Sequence, residues 1–78
     1  MPKYKCKKEV WALKIGDIVR EENSYVIHPE NSDYAPFAVS SDYVIKHSPT
    51  IGGYYVIYKD GYESYSPAGA FEEGYDLI

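Results

Sequence analysis

The segment YVIYKDGYESYS constrains the fold most strongly, because an Asp-Gly pair separates two runs with alternating apolar residues. Both residues of such a pair tolerate positive φ, so the pattern is the best short-range signal for a β-hairpin. The strands are predicted at 54–58 and 62–66, with a two-residue turn at Asp60 and Gly61. A chain with this hairpin is expected to build an antiparallel sheet.

A two-residue turn also predicts the register of the hairpin, because it pairs Tyr58 with Glu63 and Val56 with Tyr65. One face of the hairpin then carries Tyr54, Val56, Tyr58 and Tyr65. The other face is half apolar and carries Tyr55, Ile57 and Tyr62 beside two serines. We therefore expect the first face to pack on the core.

The length of 78 residues allows one domain, 1–78, and predicts marginal stability, because so short a chain buries only about 60% of its unfolded surface. Hydrophobic residues make up 45% of the chain and aromatic residues 17%. This composition is typical of a globular protein in which large rings supply much of the core. The aromatic content is mostly tyrosine, with ten copies in the chain.

The formal net charge of −4 is divided unevenly along the chain. Lysines at positions 3, 5, 7 and 8 leave four basic against twelve acidic side chains in the remainder, a net charge of about −8. An acidic body argues against general binding of a nucleic-acid backbone, which requires a basic stripe. The lysines are better explained as protection of a solvated edge strand.

The single cysteine, Cys6, excludes a disulfide within the chain and suits a reducing compartment. The opening MPKYKCKKEV is charged where a secretory signal would be apolar, and no long apolar run follows. The sequence therefore predicts a soluble, cytoplasmic protein that does not associate with membranes.

The segments before the hairpin also read mainly as strands. YKCKKEVWALKI alternates on both parities, which predicts one strand with a bulge near Lys8, ended by Gly16 and Asp17. A second hairpin is predicted from strands at 18–20 and 25–28, with Asn23 at positive φ in its turn. PENSDYAP is a loop by composition and the segment expected to be most mobile, after which Phe37 and Val39 re-enter the sheet.

Two short helices complete the prediction. Residues 41–47 have a serine cap, an acidic first turn and a basic last turn, although the β-branched Val44 and Ile45 leave a strand as the alternative. The C-terminal helix is predicted with Ser66 as its N-cap, Pro67 in its first turn and Gly74 as a left-handed cap, with Phe71 facing the sheet and Gly69 in close backbone packing. The predicted fold class is α+β, with an antiparallel sheet of about four or five strands.

These segments resemble a group of small proteins of tailed bacteriophages and prophages. The resemblance lies in the opening KYKCKKEVWALKI, in SDYVIKHSPTIGGYY, and in the tail YVIYKDGYESYSPAGAFEEGY with its Gly-Tyr hairpin, Ser-Pro helix start and Phe-Glu-x-Gly-Tyr end. It covers both ends of the chain but not residues 17–38. It implies a phage origin and a location in the cytoplasm of a bacterial host cell, and its motifs are turn and cap residues that imply no activity.

The residues indicate no reaction chemistry. Cys6, His28 and His47 are the only soft metal ligands, and they lack any metal-binding spacing, so no metal or other cofactor is predicted. The acidic pairs at 21–22 and 72–73 are typical of solvated surfaces. We therefore predict that the protein is not an enzyme.

The tyrosines are the remaining functional signal, because a small domain cannot bury ten phenol rings and satisfy all their hydroxyls. The candidates for an exposed binding patch are Tyr34, Tyr55 and Tyr62, with Tyr58 added if the packing face is reversed. The competing interpretation is that these rings merely cover hydrophobic neighbours.

Three functions remain open from the sequence. The leading hypothesis is a phage accessory protein that binds a bacterial host protein through an acidic, tyrosine-bearing surface. A second is a binder that sequesters a nucleotide-like small molecule on its tyrosines, with the interface of a homo-oligomer as one location for this site. A third is a minor structural protein of the virion.

Overall fold

The molecule is organised around one long, bulged strand. The computed structural model describes residues 1–5, 9–74 and 76–77. The elements follow one another in the order β1 (Lys3–Lys5), β2 (Glu9–Arg20), β3 (Ser24–Pro29), β4 (Phe37–Ser40), α1 (Ser41–His47), β5 (Tyr54–Tyr58), β6 (Glu63–Ser66), α2 (Ala68–Gly74) and β7 (Asp76–Leu77).

Strand β2 belongs to two antiparallel sheets. Its first half lies in a five-stranded sheet of order β6-β5-β2-β1-β7, and its second half forms a three-stranded sheet with β3 and β4. The predicted α+β class, with a five-stranded antiparallel sheet and two short helices, is confirmed.

A bulge lets β2 pass from one sheet to the other. The pairing register of β2 with β3 shifts between Ile15 and Asp17. A Cβ atom on Gly16 would lie 2.9 Å from Glu30 Cα, so glycine allows the two backbones to approach. The prediction that the strand ends at Gly16 and Asp17 is wrong, because a bulge redirects a strand without ending its pairing.

The lysine-rich opening forms two strands instead of the predicted single one. β1 and β2 are antiparallel, with Lys3 opposite Trp11 and Lys5 opposite Glu9. β1 also pairs with β7, so it is not the edge strand that its lysines suggested. The predicted bulge near Lys8 lies outside the described residues.

The β5–β6 hairpin is present, but its turn has three residues. The Tyr58 N–H donates to the Tyr62 carbonyl at 3.0 Å, and the Gly61 N–H donates to the Tyr58 carbonyl at 2.9 Å. Gly61 has φ of 90°, whereas Asp60 does not adopt the predicted positive φ. This is the hairpin loop in which a tight turn is followed by a left-handed glycine, and its extra residue shifts the register by one.

The shifted register changes which side chains share a face. Tyr55 now lies opposite Tyr65, and Val56 lies opposite Ser64. Both faces of β5 are covered, since Tyr54 and Val56 pack in a cluster with Phe71 of α2, and Tyr55 packs in a second cluster. The packing of the Tyr54 and Val56 face is as predicted, and the burial of the Tyr55 face was not expected.

The second cluster lies where the three-stranded sheet meets the hairpin and α1. Its buried members are Ile15, Ile27, Val39, Tyr43 and Tyr55. The β2–β3 hairpin and the return of the chain in β4 are confirmed. Asn23, in the connection between β2 and β3, does not have the predicted positive φ.

Helix α1 has the boundaries that its capping residues predict. The Ser40 hydroxyl accepts a hydrogen bond from the Tyr43 N–H at 3.1 Å, which satisfies one of the free donors of the first turn. At the other end Ser48 adopts φ of 45°, and its N–H donates to the Val44 carbonyl at 2.8 Å. The helix, and not the alternative strand, is confirmed.

Helix α2 is held by one aromatic ring. Phe71 is 1% exposed and stacks on Tyr54 with 4.2 Å between ring centroids, as its predicted role requires. Gly69 faces open space, so the predicted close packing at this position is wrong. Gly74 is the last helical residue and does not have the positive φ expected of a left-handed cap.

Candidate interaction cleft

An open cleft of about 340 Å³ lies between α1 and the tip of the β5–β6 hairpin. Helix α1 contributes Asp42, Tyr43, Lys46 and His47, and the hairpin contributes Tyr62 and Glu63. Its volume is at the lower end of the range for ligand-binding cavities, about 300–1,000 Å³. We call this site the α1–hairpin cleft.

The helical repeat places the α1 residues of the cleft side by side. Residues four apart lie on the same face of a helix, which aligns Asp42 with Lys46 and Tyr43 with His47. The rings of Tyr43 and His47 are 4.9 Å apart and tilted by 42°. One face of a seven-residue helix thus presents a carboxylate, an ammonium group and two rings.

Tyr62 forms the hairpin side of the cleft. Its N–H donates to the Asp60 Oδ1 at 3.0 Å, which ties it to the turn. Its ring stacks on Tyr58 at 5.8 Å and meets the edge of His47 at 6.2 Å. The Lys46 Nζ lies 5.1 Å from the centroid of the Tyr62 ring, within the range of a cation–π interaction.

Tyr43 joins the helix to the outer edge of the sheet. The residue is 5% exposed, and its hydroxyl donates to the Ser64 carbonyl of β6 at 2.6 Å. Burial raises the pKa of the Tyr43 phenol, and the nearby Glu63 carboxylate raises it further. The phenol therefore stays neutral at physiological pH and keeps its hydrogen bond to the strand.

A second buried tyrosine holds the Glu63 carboxylate. The hydroxyl of Tyr55 donates a hydrogen bond to Glu63 Oε2. Burial is the main reason that the pKa of the Tyr55 phenol is raised, followed by this hydrogen bond. The exposed carboxylate of Glu63 thus has a fixed anchor in the core beside the cleft.

Only part of the predicted tyrosine patch is found at this site. Tyr62 is 42% exposed and is the most exposed of the tyrosines whose side chains the structure describes. Tyr58 is half-buried beneath it, packed against the cluster that contains Phe71. Tyr55 is only 4% exposed, so its predicted exposure is wrong; both faces of its strand are covered. Tyr34 is half-buried in the loop after β3 and does not line the cleft.

The charged residues of the cleft were not recognised from the sequence. The sequence indicates charged ends for the helix at 41–47, and these ends contain Asp42, Lys46 and His47. It predicts Glu63 opposite Tyr58. The spacing of four between Asp42 and Lys46 and between Tyr43 and His47 was a readable signal for one shared face. Its contact with the hairpin was not readable, because it depends on how α1 packs.

The described residues contain no group of three or more His, Cys, Asp and Glu side chains placed to hold a metal ion. Cys6, one of the three soft ligands considered above, lies outside these residues. Neither helix in the described ranges has the length and hydropathy needed to cross a membrane.

No protein-family model, curated protein or solved structure matches this chain. The resemblance to phage proteins stays a prediction.

Proposed function

We propose that the protein is a non-enzymatic phage accessory protein that binds a bacterial host protein through the α1–hairpin cleft. The observation that carries the proposal is the position of Tyr62, which is 42% exposed at the edge of an open cleft. A ring held in this way offers contact area without a large loss of side-chain entropy on binding.

The surroundings of Tyr62 resemble the residue pattern of protein interfaces. Tyrosine and arginine are enriched among the residues that dominate binding energy, and such residues cluster in pockets that water leaves on binding. In this protein Tyr62 stands beside the half-buried Tyr58 and a cleft that is partly apolar. A projecting side chain of a partner is a suitable occupant for such a site.

The cleft side chains have structural partners that suit binding more than catalysis. Ser40 Oγ accepts the capping hydrogen bond of α1, and His47 contacts the rings of Tyr43 and Tyr62. A catalytic serine would instead need its hydroxyl beside a general base. The binding proposal uses these residues in the roles that they already have.

Affinity capture from bacterial lysate tests the proposal, with bound proteins and extracted small molecules both identified by mass spectrometry. We expect a stoichiometric host protein with the natural chain and at least tenfold less with Tyr62→Ala, as for an interface residue worth about 1.4 kcal/mol or more. Tyr34→Ala is the matched control, because it removes a ring outside the cleft. Equal capture by Tyr62→Ala, with an unchanged thermal melt, would place the interface elsewhere.

A nucleotide-like small molecule is the second candidate. The volume of the cleft falls in the range of small-ligand sites, and Lys46 supplies one cation beside the Tyr62 ring. Phosphate groups would also meet Asp42 and Glu63, which weakens this candidate. Recovery of a nucleotide in place of a protein in the capture experiment would favour it.

A further inference from the structure

We propose that the α1–hairpin cleft receives a basic side chain of the partner, with arginine as the best match. The inference rests on the proposed function, because it specifies the chemistry that the partner presents. The preference of the cleft for a basic side chain can be tested without knowing the partner.

Carboxylates stand on both walls of the cleft. Asp42 projects from the first turn of α1, and Glu63 comes from the start of β6. Glu63 is held by the hydroxyl of the buried Tyr55, so its position is supported from the core. A guanidinium group that enters between the walls has two acceptors, whereas an acidic side chain would be repelled by both.

The Tyr62 ring already holds a cation. Its partner is the protein's own Lys46, with Nζ 5.1 Å from the ring centroid. The ring also contacts Tyr58, stacked at 5.8 Å, and the edge of His47 at 6.2 Å. An incoming guanidinium therefore takes the place of Lys46 on the ring, and Lys46 acts as an internal competitor for the site.

The charge balance favours the same occupant. The cleft walls carry a formal charge of −1, from Asp42, Glu63 and Lys46 with His47 neutral. This sum already includes the ammonium group of Lys46 that lies on the Tyr62 ring. The chain after Lys8 is strongly acidic as well, which draws cationic partners to the surface as a whole. If Lys46 is displaced from the ring, the incoming guanidinium group faces two carboxylates.

The direct test is an NMR titration of the full chain with an end-blocked glycine peptide that carries one central arginine. The matched probe contains citrulline, which has nearly the same shape and no charge. We expect saturable shifts of the amides around Asp42, Tyr62 and Glu63 with the arginine peptide, and much smaller ones with the citrulline peptide. Equal shifts with both probes, or no shift in the cleft with either, would overturn the proposal.

Single substitutions sharpen the test because they predict opposite signs. Tyr62→Ala should weaken binding of the arginine peptide about two- to fivefold, and Glu63→Gln should also weaken it. Lys46→Gln should tighten it about twofold or more, since the internal competitor is removed. Glu73→Gln is the control, as it removes one charge from α2 and lies outside the cleft. Weaker binding of the arginine peptide by Lys46→Gln would contradict the competition between Lys46 and the guanidinium group.

The outcomes separate this inference from the proposed function. If the arginine peptide binds in the cleft but lysate yields no host protein, the cleft chemistry stands and the host-protein function falls. If a host protein is captured through Tyr62 but its binding is unchanged by Glu63→Gln and Asp42→Asn, the basic side chain is wrong and the interface stands. Spectra of each variant confirm that it is folded.

Discussion

The two helices are equally long, and each is anchored by one aromatic ring, but they leave very different surfaces. In α2 the ring is Phe71, which stacks flat on Tyr54 and packs in the core with Val10, Ala12 and Val56. In α1 the ring is Tyr43, whose hydroxyl reaches the outer edge of β6. The α1–hairpin cleft lies beside this second contact.

The difference between the two helices follows from the phenol hydroxyl, which needs a hydrogen-bond partner at a packing contact. Phenylalanine has no polar atom to satisfy, so it can be covered completely by apolar neighbours. Tyrosine must keep a partner for its hydroxyl, so its contact ends at a backbone carbonyl and the neighbouring surface stays polar. One helix therefore acts as a cover, and the other forms a wall of a binding cleft.

The largest expected effect is at the α2 contact. Phe71→Ala should destabilise the protein by about 3–5 kcal/mol, because it removes a fully buried ring and leaves a cavity. A loss of this size is a large fraction of the stability of a marginally stable domain. Chemical denaturation measures it, and Phe71→Leu, which keeps most of the apolar volume, should cost much less. A loss under 1 kcal/mol would show that α2 contributes little to the core.

The next effect tests how tightly the α1 side of the hairpin is packed. A Cβ atom on Gly53 would lie 2.1 Å from the Tyr65 hydroxyl, which is hydrogen-bonded to Thr50 at 2.8 Å. Gly53→Ala should therefore cost about 1–3 kcal/mol through displacement of the Tyr65 ring.

The matched substitution in α2 should have the opposite sign. Gly69→Ala adds a methyl group to open space within a helix and should stabilise the protein by about 0.5 kcal/mol. Both changes are read from thermal melts or denaturant curves of the same protein preparation. Equal effects of the two substitutions would contradict the contrast in packing between the two sides.

A smaller effect distinguishes the contribution of the Tyr43 hydroxyl to stability from that of the Tyr43 ring. Tyr43→Phe removes the hydrogen bond to the Ser64 carbonyl and should cost about 1 kcal/mol, while the packing of the ring remains. Tyr54→Phe is the counterpart on the α2 side, where the hydroxyl donates to the exposed Glu72 at 2.8 Å. The second loss should be smaller, because Glu72 can turn to water. A larger loss with Tyr54→Phe would reverse the comparison.

The mildest test is the response to alkaline pH. The pKa values of the Tyr43 and Tyr55 phenols are raised in the folded protein, mainly by burial. Unfolded tyrosine ionises near pH 10, so above about that pH the unfolded state loses protons that the folded state retains. Their contribution to stability is complete below that pH and declines as pH rises further.

Melting temperature measured from neutral to alkaline pH should therefore fall above about pH 10. The fall should be shallower in Tyr43→Phe and Tyr55→Phe, and it should match that of the natural chain in Phe71→Leu, which keeps both phenols. A fall that is identical in all these variants would assign it to the general negative charge of the protein.

Local signals in the sequence were sufficient for most of the elements. A capping serine at position 40 or 41 predicted the start of α1, the Asp60-Gly61 pair predicted the β5–β6 hairpin, and the isolated Phe71 predicted the anchor of α2. These predictions succeed because capping, turn formation and a lone apolar residue depend on neighbours within a few positions. The exposure of Tyr62 was predicted as well.

Other predictions failed where one residue of register or a distant element decided the outcome. The third residue in the hairpin turn moved Tyr65 opposite Tyr55. A one-residue shift changes the face on which each side chain of a strand lies, and the sequence KDG is compatible with either loop. The misplacement of Tyr55 in the binding patch follows from this shift and from the cover on both faces of β5.

The sequence by itself determined that this chain forms antiparallel hairpins with two short helices, because turn residues, caps and alternation act locally. It also determined the excess of acidic side chains and of tyrosines. Only the tertiary structure decided which tyrosines are buried, and it did so through the bulge that bends β2 and through the packing of α1 on β6. Those contacts join residues far apart in the chain, so they brought Asp42, Lys46, Tyr62 and Glu63 into one cleft that no local pattern specifies.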